Sequence, residues 1–147
     1  MPDRSGEVAV CGFSAGGHLC GSLGVHFQDI KEENSLLKEV SCRPDAMILG
    51  YPVITSGKYR NEDSFLALLG EDSDEEEREY LSVEKHVTEE MPPCFLWHTL
   101  EDKTVSAENG YLFAEACRKA GVPYAHHVFA EGHMGCLSPQ KNGLNKN

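Results

Sequence analysis

One short stretch constrains the fold more than any other. Glu7-Val8-Ala9-Val10-Cys11 is a compact apolar run, and it passes straight into Gly12-Phe13-Ser14-Ala15-Gly16-Gly17. After that come small residues, with Leu19, Leu23 and Phe27 at four-residue spacing. A β-branched apolar run suits a buried strand, and the four-residue spacing marks one face of a helix. The pattern predicts a strand over Glu7–Cys11, a tight turn, and a helix over Ala15–Gln28 with Leu19, Leu23 and Phe27 on one face. The positions two before and two after Ser14 face each other across such a turn, so a side chain at Gly12 or Gly16 is expected to obstruct it.

The rest of the chain repeats the alternation. Ala46–Tyr51 is a second apolar run, ended by Pro52, and residues 61–70 read as a helix around Phe65, Leu66, Leu68 and Leu69 with Gly70 as its stop. Ser73 with Glu76 fits a capping box opening a short helix through Tyr80 or Leu81. Pro92-Pro93 introduces a third strand, Cys94–His98. Ser106 is placed to cap a helix over Ala107–Ala120, with Gly121 and Pro123 beyond it. That helix has one apolar stripe of Leu112, Phe113, Ala116, Cys117 and Ala120, and Tyr124–Phe129 is a fourth strand. Strands alternating with helices indicate an α/β protein with a mostly parallel sheet of about four strands and flanking helices. The 147 residues suit one domain, over 1–137, followed by a polar tail over 138–147 that is expected to fray.

Composition removes several functional classes. Apolar runs reach only five or six residues, against about 20 for a membrane-spanning helix. There are 13 basic and 24 acidic residues, a net charge of -11, which opposes nucleic acid or an anionic membrane as partner. Residues 71–90 hold ten acids and two bases; without a D-x-D-x-D-G loop they read as a solvated surface. The six cysteines form no C-x-x-C pair and the N-terminus has no signal-peptide core, so reduced thiols and a cytoplasmic location are expected. No cofactor is expected: His18-Leu19 stands where a Walker-A turn needs Lys-Ser/Thr, and no G-x-G-x-x-G occurs. No metal is expected either, since the seven histidines show no H-x-x-x-H or H-E-x-x-H spacing.

The chemistry sits in three loops. Gly12-Phe13-Ser14-Ala15-Gly16 matches G-x-S-x-G between a strand and a helix, the setting in which a serine stands clear of the backbone as a nucleophile. The helix N-terminus behind it offers the Ala15 N–H to an oxyanion. Such a serine needs a base, and the base needs a carboxylate, in chain order Ser, Asp/Glu, His. The third strand leads to Glu101-Asp102 and the fourth to His133, so both loops leave the sheet at the edge where Ser14 stands. Either Glu101 or Asp102 could be the acid. The other histidines read as packing or surface residues: His18 in the first helix, His98, His126 and His127 in strands, and His86 as simply exposed. Trp97 reads as core, and Tyr51-Pro52 as core or pocket lining.

With GFSAGGHL, FLWHTLEDKTVSAENGYLFAEACRKAGVPY and HVFAEGHMG, the chain resembles the α/β-hydrolase fold. Within that fold it is most similar to small bacterial esterases of the acetylxylan esterase and acyl-peptidase-like kinds. The resemblance implies that Asp102, in Asp102-Lys103-Thr104-Val105, is the triad acid with Ser14 and His133, although Val105-Ser106 replaces the usual Val-Pro. It implies hydrolysis of short-chain carboxylic esters, carbohydrate acetyl esters among them, with a small-molecule ester as the partner. The alternatives are a serine peptidase of the acyl-peptidase type and a non-catalytic fragment that binds a partner. The family takes its second oxyanion donor from an HGG-type loop upstream of the nucleophile, and the thirteen residues before Ser14 contain none. The chain is therefore expected to match the C-terminal half of such a domain, without its first strands. Weak hydrolysis and homo-oligomerisation through an open sheet edge are expected to follow.

Overall fold

The computed structural model describes residues 6–31, 33–34 and 36–132. Four parallel strands lie in chain order: β1 (Ala9–Phe13), β2 (Ala46–Gly50), β3 (Cys94–Thr99) and β4 (Tyr124–Phe129). Their register sets Phe13 beside Gly50, Gly50 beside Trp97 and Trp97 beside His127. The helices are α1 (Ala15–His26), α2 (Glu62–Leu69), α3 (Glu75–Tyr80) and α4 (Glu108–Ala120), with 3-10 turns at Phe27–Asp29 and Val83–His86. Successive parallel strands joined by right-handed crossovers place their helices on one face. Accordingly α1 and α4 both contact the Val83–His86 turn.

That face holds the core: Met47, Leu49, Cys94 and Leu96 from the sheet against Ile54, Val83, Phe113 and Cys117. Alternation along each strand turns Phe13, Ile48, Phe95 and Phe129 to the other face, where they remain between 39% and 54% exposed. An aromatic row crosses this open face near the carboxyl edge. Tyr51 lies 5.9 Å from Phe13 and 5.1 Å from Trp97, and Trp97 lies 6.5 Å from Phe129. Gly50 lets the row close, since a Cβ there would run into the Phe13 and Trp97 rings.

Four local expectations are corrected. β1 is displaced two residues towards the turn, because its ladder with β2 continues to Phe13. On α1 the buried residues are Gly17, His18, Gly21 and Gly24, not the leucines, and Leu19 is 72% exposed. The glycines allow the helix axis close to the sheet: a Cβ on Gly24 would overlap the Met47 side chain, and one on Gly21 would come 3.3 Å from Val83. The capping box of α3 uses Asp74 and Glu77 rather than Ser73 and Glu76: each side chain bonds the other residue's backbone N–H. The helix over 108–120 ends at Gly121 (φ 73°) as expected, but Ser106 makes only a 3.4 Å contact with the Glu108 N–H. The described cysteines are all free, with the Cys94 and Cys117 sulfurs 3.9 Å apart. No helix among the described residues is long and apolar enough to cross a membrane. Residues 138–147 lie outside the described residues.

Candidate active site

Ser14 occupies the turn between β1 and α1 at φ 53°, ψ -120°. A non-glycine residue adopts such a conformation only where its surroundings enforce it. The Ser14 N–H donates to the Gly50 carbonyl (3.0 Å), and its own carbonyl accepts from His18 N and Val53 N, each at 3.1 Å. These bonds tie the turn to both β2 and α1. Two glycines make room for it: a Cβ on Gly12 would collide with the Gly16 carbonyl, and one on Gly17 would lie 2.7 Å from Pro52 Cβ. Gly16 differs from expectation. It faces open space, with nothing within 4 Å of a Cβ there, so only its backbone enters the close approach. Ala15 is the first residue of α1, where an N–H has no carbonyl four residues back to bond, and no acidic side chain occupies the first turn.

Two strands away, β3 ends at Thr99 and the chain turns through Glu101 and Asp102. Parallel strands send both loops out at the same edge, separated by two strand spacings, or about 10 Å. The Asp102 side chain is fully buried. Its Oδ1 accepts from Thr104 N and Val105 N, each at 2.9 Å. Its Oδ2 is buried and has no hydrogen-bond partner among the described residues. Glu101 is exposed and is used differently: its carboxylate accepts from Gly132 N at 3.3 Å. The residue before Asp102 is thereby tethered to the residue before His133. His133 itself lies outside the described residues.

His98 is completely buried beneath this loop, with Nε2 2.7 Å from the Val105 carbonyl and 3.8 Å from Asp102 Oδ2. A carbonyl only accepts, so Nε2 carries the proton. Burial pushes the His98 pKa below its ordinary value, outweighing the Val105 bond and the Asp102 charge. His98 is therefore neutral at pH 7, and its approach to Asp102 is not an ion pair.

Among the other histidines, His18 is buried and donates to the Leu81 carbonyl (2.8 Å), and burial holds its pKa low as well. His86 is not simply exposed: it is half-buried, bonds the Glu79 carbonyl and lies 4.8 Å from the His26 ring. No group of three potential metal-binding side chains occurs among the described residues. A groove of about 610 Å³ opens beside Ala15, lined by His18, Leu19, Ala67, Leu68 and Leu81.

The sequence reading missed Asn109, whose single asparagine gives no periodic signal. It is fully buried; its Oδ1 accepts from Ile54 N and Thr55 N while its Nδ2 donates to the Tyr59 and Ser106 carbonyls. It joins the loop after β2 to the start of α4. Tyr51 takes a φ of 35° before a proline, which no local sequence pattern encodes. That geometry is held by the Tyr51 N–H bond to the Trp97 carbonyl (2.7 Å).

The family model BD-FAE matches residues 4–117. An endo-1,4-beta-xylanase B of Butyrivibrio fibrisolvens is 50% identical over 129 residues, which are 88% of this chain and 20% of that protein. Among solved structures, an acetyl ester-xyloside bifunctional hydrolase from Caldicellulosiruptor lactoaceticus superposes with a TM-score of 0.82 at 45% identity, covering 86% of this chain and 47% of that one. The carboxylesterase Cest-2923 from Lactobacillus plantarum WCFS1 superposes with a TM-score of 0.60 at 26% identity, covering 86% of this chain and 45% of that one. The chain thus spans about half the length of these solved relatives and a fifth of the xylanase.

Proposed function

The chain belongs to the BD-FAE family, and from that premise we propose that it is a serine hydrolase of short-chain carboxylic esters, acetyl esters on carbohydrate among them. In this reading Ser14 Oγ attacks the ester carbonyl and His133 takes its proton. Asp102 Oδ2 accepts the other imidazole N–H and stabilises the imidazolium, and the Ala15 N–H bonds the oxyanion. His133 then returns the proton to the departing alcohol, leaving an acyl-Ser14 that water hydrolyses by the same steps.

The observation that carries the reading is the state of Asp102. One carboxylate oxygen is fixed by two backbone amides while the other is buried and unengaged among the described residues, two strands from a strained serine. A buried carboxylate oxygen without a donor costs about 1–3 kcal/mol, and an imidazole N–H from the neighbouring loop would remove that cost. The Glu101–Gly132 tether brings the chain to within one residue of His133 beside this loop. It also engages Glu101, which favours Asp102 over Glu101 as the acid. The carbohydrate substrate is supported by the relatives named for xylan and acetyl-xyloside hydrolysis.

The test is hydrolysis of p-nitrophenyl acetate and of acetylated xylo-oligosaccharide, each measured against Ser14→Ala. Acetate release from both that disappears in Ser14→Ala is expected. Equal rates in the two proteins would overturn the reading.

A further inference from the structure

We propose that His98 is a positioning residue for this hydrolysis: through the Val105 carbonyl it holds the loop that leaves Asp102 Oδ2 available to a histidine donor. The proposal rests on the reading of Ser14, Asp102 and His133 as a triad.

Val105 is held through both of its backbone polar groups. Its N–H donates to Asp102 Oδ1 at 2.9 Å, and its carbonyl accepts from His98 Nε2 at 2.7 Å. The imidazole, rigid and wholly enclosed, therefore sets the position of Val105, and Val105 sets the rotation of the Asp102 carboxylate. The separation of 3.8 Å from His98 Nε2 to Asp102 Oδ2 is too long for a hydrogen bond, so His98 approaches the acid without consuming its free oxygen.

Burying an imidazole here is unfavourable, since His98 Nδ1 has no hydrogen-bond partner among the described residues. A leucine would fill the space without an orphaned nitrogen but could not hold the Val105 carbonyl. Gly110 on α4 makes room for the neighbouring His126 ring, since a Cβ there would lie 2.9 Å from His126 Nε2, while His98 Nδ1 would sit at an ordinary contact distance of 3.6 Å. Burial favours the uncharged form of His98, so it does not stand as a second cation beside the imidazolium that forms during attack.

The experiment compares three substitutions in the full chain. Glutamine can place an amide N–H near the position of Nε2; asparagine is too short to reach Val105; leucine has no donor. Two readouts are taken: the rate at which a fluorophosphonate labels Ser14 as a function of pH, and hydrogen exchange at the Thr104 and Val105 amides. His98→Leu and His98→Asn are expected to label about 10- to 100-fold more slowly, the scale for a slightly misplaced catalytic group. Their acid limb should move to lower pH as the base loses its oriented carboxylate, and the two amides should exchange faster. His98→Gln should recover most of the rate, the limb and the protection.

If His98→Leu does not fold, the Gln and Asn pair decides the matter. Equal rates, limbs and exchange in His98→Gln and His98→Asn overturn the proposal and leave the triad standing. Absence of Ser14 labelling in the unsubstituted chain overturns the triad and the proposal with it.

Discussion

At the scale of single residues, the two glycines flanking Ser14 should behave oppositely. Gly12→Ala forces a methyl group into the Gly16 carbonyl, and overpacking of this kind costs about 3 kcal/mol. Gly16→Ala meets nothing, and its stability should stay within about 0.5 kcal/mol of the parent chain. Urea unfolding of both variants checks the pair; equal losses would show that the turn is not packed as described. Asp102→Asn retains the shape of the side chain but offers the base an amide, which favours the wrong tautomer. Turnover should fall about 10⁴-fold with the melting temperature little changed. Glu101→Gln should cost far less, and the reverse ranking would reassign the acid.

At the scale of elements, strands and loops were legible because their signals are local. β2, β3 and β4 lie where their apolar runs fall, and the Gly70 and Gly121 stops are both used. The buried face of α1 was not legible, because a glycine stripe reads as weak helix while the leucines suggest a face that is in fact exposed. Closeness to Met47 and Val83, rather than apolar side chains, decides that face. Around the candidate site, the strand–turn–helix at Ser14 and the position of the Glu101-Asp102 loop at the end of β3 could be read from motif and strand order. The His98–Val105–Asp102 linkage and the Asn109 clamp could not, because each joins residues through a backbone carbonyl or amide that no side-chain pattern encodes. Asn109→Ala would leave two amides and two carbonyls without their partner. A loss of about 3 kcal/mol is expected, read as a lower urea midpoint with unchanged slope.

At the scale of the whole molecule, three partly or wholly buried histidines set the response to acid. Burial lowers the pKa of His18, His98 and His126 below the ordinary 6.5. Just below pH 6.5 the unfolded chain therefore binds more protons than the folded one, so stability rises with pH there. It should be fully present above 6.5 and lost as pH falls from 6.5 towards the lower folded values. The exposed carboxylates are also held low, Asp29 first by the Tyr80 hydroxyl and Glu62 and Glu115 by Arg60 and Arg118, but their loss belongs to a more acidic window. Urea midpoints compared at about pH 7.5 and 5.5 should fall at the lower pH, with a shallower fall in His18→Gln.

The sheet face bearing Phe13, Ile48, Phe95 and Phe129 and the outer edge of β1 are uncovered among the described residues. Open apolar edges of this kind recruit further strands, so the isolated chain should self-associate at high micromolar concentration. A clean monomer in sedimentation would contradict that. A more direct test of the central claim is the site of covalent attack. Treated with a fluorophosphonate and digested, the chain should carry one adduct, on Ser14, formed slowly in Asp102→Asn and absent in Ser14→Ala. An adduct on any other serine, or none on a folded sample, would contradict the account.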